Sequence, residues 1–221
     1  MAGYGKDRRA QFGQNIQQTY DAVACEYANE IYGELAHKPF DREILDRFAA
    51  RVRGRGLVGD FGCGPAQIAR YLRDRGVNAF GLDFSAGMLA QAQRLNPNLA
   101  FVQTSILDLG LGTSTLAGIA AFYSIIHIPR ERMVVALREM HRVLRPGGVC
   151  LLTFHLGSED SYHDELFGQK VELDVALFTA AEMTGYLQAA GLLLEEAVER
   201  DPYAPEVEYQ SRRGYILAVR T

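Results

Sequence analysis

From about Asp41 onward, short runs of aliphatic and β-branched residues alternate with stretches in which apolar positions recur every three or four residues. That alternation describes a parallel sheet covered by helices. Strands are expected near Leu57–Phe61, Ala79–Asp83, Ala100–Thr104, Gly118–Tyr123, Val149–His155, Leu192–Glu199 and Gly214–Arg220. Helices are expected near Ala66–Asp74, Ala86–Leu95, Arg130–Val143 and Ala180–Ala189. Glycines stop two of them, at Arg75-Gly76 and Ala190-Gly191, and Pro146-Gly147-Gly148 breaks the chain before the fifth strand.

Only the Pro/Tyr-rich link Asp201-Pro202-Tyr203-Ala204-Pro205 and a few polar residues separate the last two strands. A parallel return needs a dozen or more residues, so these two strands are expected to pair antiparallel. In the first fifty residues, Phe12, Ile16, Tyr20, Val23, Tyr27, Ile31 and Leu35 recur at three or four, which reads as a helical cap over the domain. Residues 1–50 are therefore taken as a cap over the active site and 51–221 as the main domain. Gly157–Phe178 is long for a strand-to-helix connection and is expected to form a lid or substrate wall. Within it Lys170–Val175 alternates like a strand.

The chain has 221 residues, 48% of them hydrophobic, and its 23 Lys+Arg against 27 Asp+Glu leave a net charge of −4. A chain of this size builds a full core without disulfide or metal staples. A mildly acidic chain with no basic run lacks the field that phosphate backbones exploit, which argues against nucleic acid as a main partner. No apolar run approaches the ~18–20 residues of a membrane span, and the N-terminus has no signal-peptide core, so no membrane partner is expected and the location reads as cytoplasmic. Cys25, Cys63 and Cys150 are odd in number and lack CxxC spacing, so neither a disulfide framework nor a zinc knuckle is expected.

The chain has 22 glycines, above the usual share, and the surplus concentrates where the first strand ends, in Gly59-Asp60-Phe61-Gly62-Cys63-Gly64-Pro65-Ala66. A strand entering a glycine turn and then a helix brings backbone N–H groups close to a ligand. The dinucleotide pattern GxGxxG is broken at Gln67, and Asp60 would repel a pyrophosphate while suiting an ammonium group. Asp83, nineteen positions after Gly64 at the second strand's tip, can accept from a ribose diol. Together these features favour a zwitterionic adenosyl ligand over a dinucleotide.

Four ordered segments carry a family resemblance. They are Val58–Gly64, Gly81–Leu89, Tyr123-Ser124-Ile125-Ile126-His127-Ile128-Pro129, and Leu137–Gly148. In these the chain resembles the class I S-adenosylmethionine-dependent methyltransferases, of small-molecule type. The resemblance implies a Rossmann-like three-layer α/β sandwich whose seven-stranded, mostly parallel sheet has its last strand antiparallel. It implies S-adenosylmethionine as cofactor and S-adenosylhomocysteine as product. By the same resemblance, Asp60, Gly62 and Gly64 would hold the methionine moiety, Asp83 the ribose, and Phe84 and Met88 the adenine. Tyr20 and Tyr27 would close over the cofactor, with Tyr123 at the strand-four tip. Many members carry an acid after strand three. Here the position is Ser105, leaving Ser105 or the backbone of Ile106 to meet the adenine.

His127, just beyond strand four, and His155, at the tip of strand five, are the candidate general bases. Positioning supplies most of the acceleration in methyl transfer, because the sulfonium is already activated. His155, Glu159 and His163 would share a face only if their segment were helical, and no metal is assigned. Arg212 and Arg213 read as a solvated rim pair, with an acidic substrate group as the alternative. The sequence thus predicts a methyltransferase acting on a hydroxyl or amine of a small-molecule acceptor, aromatic ones included, as a monomer or homodimer. The alternatives are methylation of carbon, protein or RNA, a noncatalytic adenosyl-binding module, and an NAD-dependent oxidoreductase.

Overall fold

The computed structural model describes residues 7–221, with side chains from Ile16 onward. Phe12 and residues 1–6 of the expected cap lie outside the described residues or side chains. The chain opens with α1 (Asp7–Ile31), a 3-10 turn (Glu34–His37) and α2 (Pro39–Val52). Alternation follows: β1 (Leu57–Phe61), α3 (Gln67–Asp74), β2 (Asn78–Asp83), α4 (Ala86–Leu95), β3 (Phe101–Gln103) and β4 (Leu116–Phe122). After α5 (Arg130–Val143) and β5 (Leu144–His155) come β6 (Ser161–Leu166), β7 (Gln169–Val175), α6 (Ala180–Ala190), β8 (Leu192–Arg200) and β9 (Arg213–Arg220).

Seven strands form one sheet in the order β3-β2-β1-β4-β5-β9-β8. The first five are parallel, and β9 runs antiparallel to both β5 and β8, as the short link required. The strand period of two divides the core between the faces. On β5, Cys150, Leu152 and Phe154 join α5 and α6 residues such as Met133, Leu137 and Met183, while Val149 and Leu151 join Ile44, Phe48 and Leu72 of α2 and α3. Each buried Leu, Ile or Phe contributes roughly 1.5–3 kcal/mol, so the two layers carry most of the stability. The order reverses between β1 and β4, and a ligand crevice is expected outside the carboxyl ends of those strands.

The N-terminal fifty residues are two helices with different jobs. Pro39 at the first turn of α2 starts a new helix whose apolar side, Ile44, Leu45, Phe48 and Val52, sits in the sandwich. Only α1 lies over the strand tips, against α4 and β7. Gly157–Phe178 holds a hairpin, with Phe167 and Gly168 both at positive φ (50° and 77°) in the two-residue turn. Its extended backbone removes the helical spacing that would have put His155, Glu159 and His163 on one face. Among the described residues no helix is long and apolar enough to cross a membrane.

Candidate active site at the strand tips

A cavity with about 570 Å³ of empty space opens where β1, β2 and β4 end. Gly62 (φ 68°) and Gly64 (φ 51°) form its floor, and Ala66 (φ 68°) takes the same left-handed conformation immediately before α3. Gly62 is demanded twice. A Cβ there would sit 2.3 Å from the Cβ of Ser124, and its φ disfavours any side chain.

Asp83 joins the glycine turn to the second strand. Its Oδ2 accepts from the Gly64 N–H at 2.9 Å and its Oδ1 from the Ser85 N–H at 2.9 Å. Each oxygen keeps a lone pair for another donor, and burial pushes this carboxyl above its ordinary range. Phe84, Met88 and Ile106 supply an apolar wall, while Tyr20 and Tyr27 from α1 and Tyr123 from the β4 tip close the cavity. Tyr123 sits at φ 51°, a conformation costing an aromatic residue of order 1 kcal/mol or more. Its N–H donates to Thr153 Oγ1 at 2.9 Å, which holds the residue there.

Two residues expected at this cavity do not line it. Asp60 is turned beneath the glycine turn, where Oδ2 accepts from the Ala69 N–H at 2.9 Å in the first turn of α3. Burial dominates there and raises its pKa to about 7. Ser105 caps its own turn, its Oγ accepting from the Leu107 N–H at 3.2 Å, so that Thr104 and Ile106 face the cavity instead.

His127 lies on a 3-10 turn after β4 with both ring nitrogens engaged. Nδ1 is 3.1 Å from the Asp174 carbonyl, which only accepts, so Nδ1 carries the proton. Nε2 therefore accepts from the Tyr20 hydroxyl at 2.7 Å. Burial drops its pKa to about 4, so the imidazole is neutral at physiological pH.

His155 lies elsewhere, in a second cavity of about 1230 Å³ that shares Tyr20, Tyr27, Phe122 and Tyr123 with the first. Behind the Tyr123 and Glu208 that line it lies a buried polar network. The Tyr123 and Tyr215 hydroxyls lie 3.1 Å apart, Tyr215 donates to Asp41 Oδ1 at 3.0 Å, and Arg200 donates to Asp41 Oδ2 at 3.0 Å. Glu208 also pairs with Arg200, and its carboxyl is held down at about 2 by the charges around it, against the cost of burial. Sequence reading missed Asp41, Arg200, Glu208 and Tyr215, since no motif links positions so far apart in the chain. It also separated Arg213 too little from Arg212: β9 begins at Arg213, which turns inward to 3% exposure while Arg212 stays exposed.

Residues 58–148 match the family described as methyltransferase domain. The chain is 33% identical over 134 residues to malonyl-acyl-carrier-protein O-methyltransferase of Enterobacter lignolyticus, covering 60% of this chain and 53% of that protein. It is 31% identical over 136 residues to demethylmenaquinone methyltransferase of Beutenbergia cavernae, covering 61% of this chain and 55% of that one. The chain thus spans about half the length of these curated relatives. In fold it is similar to the 4+2 cyclase SpnF, with TM-score 0.74 at 16% identity over 94% of this chain and 96% of that one. A Methanosarcina mazei S-adenosylmethionine-dependent methyltransferase gives 0.70 at 13% identity over 77% and 95%. These findings support a class I S-adenosylmethionine-dependent methyltransferase, with S-adenosylmethionine as the implied cofactor.

The first cavity fits that cofactor. Its floor is glycine backbone, at Gly62 and Gly64, Asp83 keeps lone pairs for a diol, and Ser124, which lines it, has a buried hydroxyl with no partner among the described residues.

Proposed function

We propose that the chain moves a methyl group from S-adenosylmethionine to a hydroxyl or amine of a small-molecule acceptor. The observation that carries this reading is the Tyr20–His127 pair, 2.7 Å apart, in which His127 lines the first cavity and Tyr20 lines both. Asp83 would hold the ribose, the Gly62–Gly64 turn the methionine end, and Phe84, Met88 and Ile106 the adenine. When bound, S-adenosylmethionine supplies an electrophilic methyl group on a sulfonium.

Tyr20 Oη accepts the proton leaving the acceptor as it passes its own to His127 Nε2. A base of pKa about 4 suffices for a hydroxyl, because an oxygen gaining a methyl group becomes strongly acidic, whereas an amine that enters neutral attacks without a base and leaves as an ammonium. The Asp174 carbonyl keeps the lone pair on Nε2, so the 161–175 hairpin fixes the tautomer as well as walling the cavity. Asp60, buried and unlined, acts through the glycine turn it props.

Calorimetry with S-adenosylhomocysteine and NAD, followed by an acceptor screen with labelled methyl donor, tests the proposal. Adenosyl binding that falls by at least about a hundredfold in Asp83→Ala is the expected result, the low end for loss of a pair of charge-assisted bonds of about 1.5–3 kcal/mol each. Binding of NAD alone overturns the reading, and adenosyl binding with no transfer to any acceptor reduces the protein to a binding module. Undiminished turnover in His127→Ala removes His127 as the base.

A further inference from the structure

His127 and His155 hold opposite tautomers. His155 Nδ1 faces a guanidinium nitrogen of Arg213, and Arg213 has no acceptor, so Nδ1 must carry the lone pair. The ring's single proton is then on Nε2. Burial, with the Arg213 charge beside it, lowers the His155 pKa to about 3 and excludes a doubly protonated ring near neutral pH. Nε2 has no protein partner among the described residues, and it is not among the fully buried unpartnered atoms, so it opens to the second cavity that His155 lines. The ring is held between Tyr123 and Tyr209, at centroid distances of 5.2 and 5.9 Å. His127 is the reverse case, with its proton committed to Asp174 and its lone pair turned to Tyr20.

We infer that His155 is a specificity-determining hydrogen-bond donor rather than a base, presenting Nε2–H to a carbonyl-type oxygen on a flat small-molecule acceptor in the second cavity. Flatness follows from the rings around the site, Tyr20, Phe122, Tyr123 and Tyr209. A neutral oxygen follows from charge. The lining cations Lys38 and Arg213 are already met by Glu34 and Glu208, while Glu30 and Glu206 add negative charge that disfavours an anion. The inference rests on the methyltransferase reading and assigns what its acceptor must carry.

Two measurements on the full chain test it. Long-range 1H–15N spectra of the imidazoles should show Nε2–H at His155 and Nδ1–H at His127, and an Nδ1–H tautomer at His155 overturns the inference. With S-adenosylhomocysteine bound, 4-hydroxyacetophenone should bind about fivefold more tightly than 4-ethylphenol, the value of one neutral hydrogen bond. That preference should vanish in His155→Phe and persist in His155→Gln, whose amide N–H replaces Nε2–H. Equal affinity of the two probes for the wild type, or a preference that survives His155→Phe, overturns it. The same titrations read the underlying assignment separately. A protein that binds S-adenosylhomocysteine without preferring the ketone loses only this inference, whereas one that does not bind it loses the methyltransferase reading.

Discussion

The two cavities that meet at Tyr123 are built by different means. The cofactor side is made by backbone: a glycine turn after β1, a strand tip ending in Asp83, and N–H groups that aim a carboxylate. The proposed acceptor side is held by side chains brought together across the whole chain, with Tyr20 and His127 at the boundary with the first cavity and Asp41, Tyr215 and Arg200 behind its lining. A backbone site tolerates sequence change around it but not within its few glycines. A side-chain site can be retuned residue by residue, and its cost is a set of buried polar groups that must all be partnered.

The sharpest break of that contrast is at Asp41. Its carboxylate is 1% exposed and shared by Arg200 and Tyr215, so Asp41→Ala leaves a largely buried guanidinium with one partner fewer. Breaking such a pair from one side should cost about 3–5 kcal/mol, read as a lower urea midpoint. The cofactor side should be spared: among molecules still folded, affinity for S-adenosylhomocysteine should change less than about threefold. A collapse of both would show that the two sides are one cooperative unit.

The mirror experiment is Gly62→Ala. A new Cβ strikes the Ser124 side chain in a left-handed residue, for about 1–2 kcal/mol of backbone strain plus about 1–3 kcal/mol of overpacking. Gly62→Ala with Ser124→Gly should recover the packing share and leave the backbone share. Urea denaturation of Gly62→Ala, Ser124→Gly and the double variant separates the two.

Acid titration should divide the halves by sign. His155 in the second cavity and His127 at its boundary with the first are held neutral in the fold with pKa values of about 3 and about 4 against an ordinary 6.5. Below pH 6.5 the unfolded chain gains protons that the folded chain refuses, so these groups remove stability as pH falls, by about 2 kcal/mol each at pH 5. Asp60, beneath the cofactor side, runs the other way. Its pKa of about 7 lies above the ordinary 3.8, so its contribution is fully present below pH 3.8 and is lost as pH rises through 7. Stability measured between pH 4 and 7 should fall less steeply on the acid side in His127→Gln or His155→Gln, and more steeply in Asp60→Asn.

The same division explains what could be read from sequence. Strand and helix positions were legible because period two and period 3.6 act locally, and α4 and α5 run as expected over Ala86–Leu95 and Arg130–Val143. The glycine turn and Asp83 were legible because a backbone site lies within one strand-turn-helix unit. The orientation of Asp60, turned to the Ala69 N–H, was not, because a residue type does not say which way a buried carboxylate points. The buried network behind the second cavity was hidden for another reason: Asp41 and Tyr215 are 174 positions apart, and only the sheet order that places β9 beside β5 brings them together. The splitting of the N-terminal segment hinged on Pro39, which the apolar spacing alone passed over.

The smallest expected effect lies at Asp21, where α1 fastens the acceptor side to the cofactor side. Its Oδ1 accepts from the Ser85 hydroxyl at 2.6 Å and from the Gly87 N–H at 2.8 Å, in the first turn of α4. Ser85 is itself the cap of α4, its Oγ accepting from the Met88 N–H at 3.0 Å, so Asp21 tethers α1 to an end already satisfied once. A carboxylate there also opposes the positive end of the helix dipole. Asp21→Ala should therefore cost only about 1 kcal/mol in the urea midpoint, the usual value of a lost cap. Its larger signature should be local. Tyr20 and Tyr27 ride on α1, so amide exchange in α1 should quicken while the β1–β4 core stays protected. Equal loosening of the β-sheet would show that the cap and the sandwich unfold together.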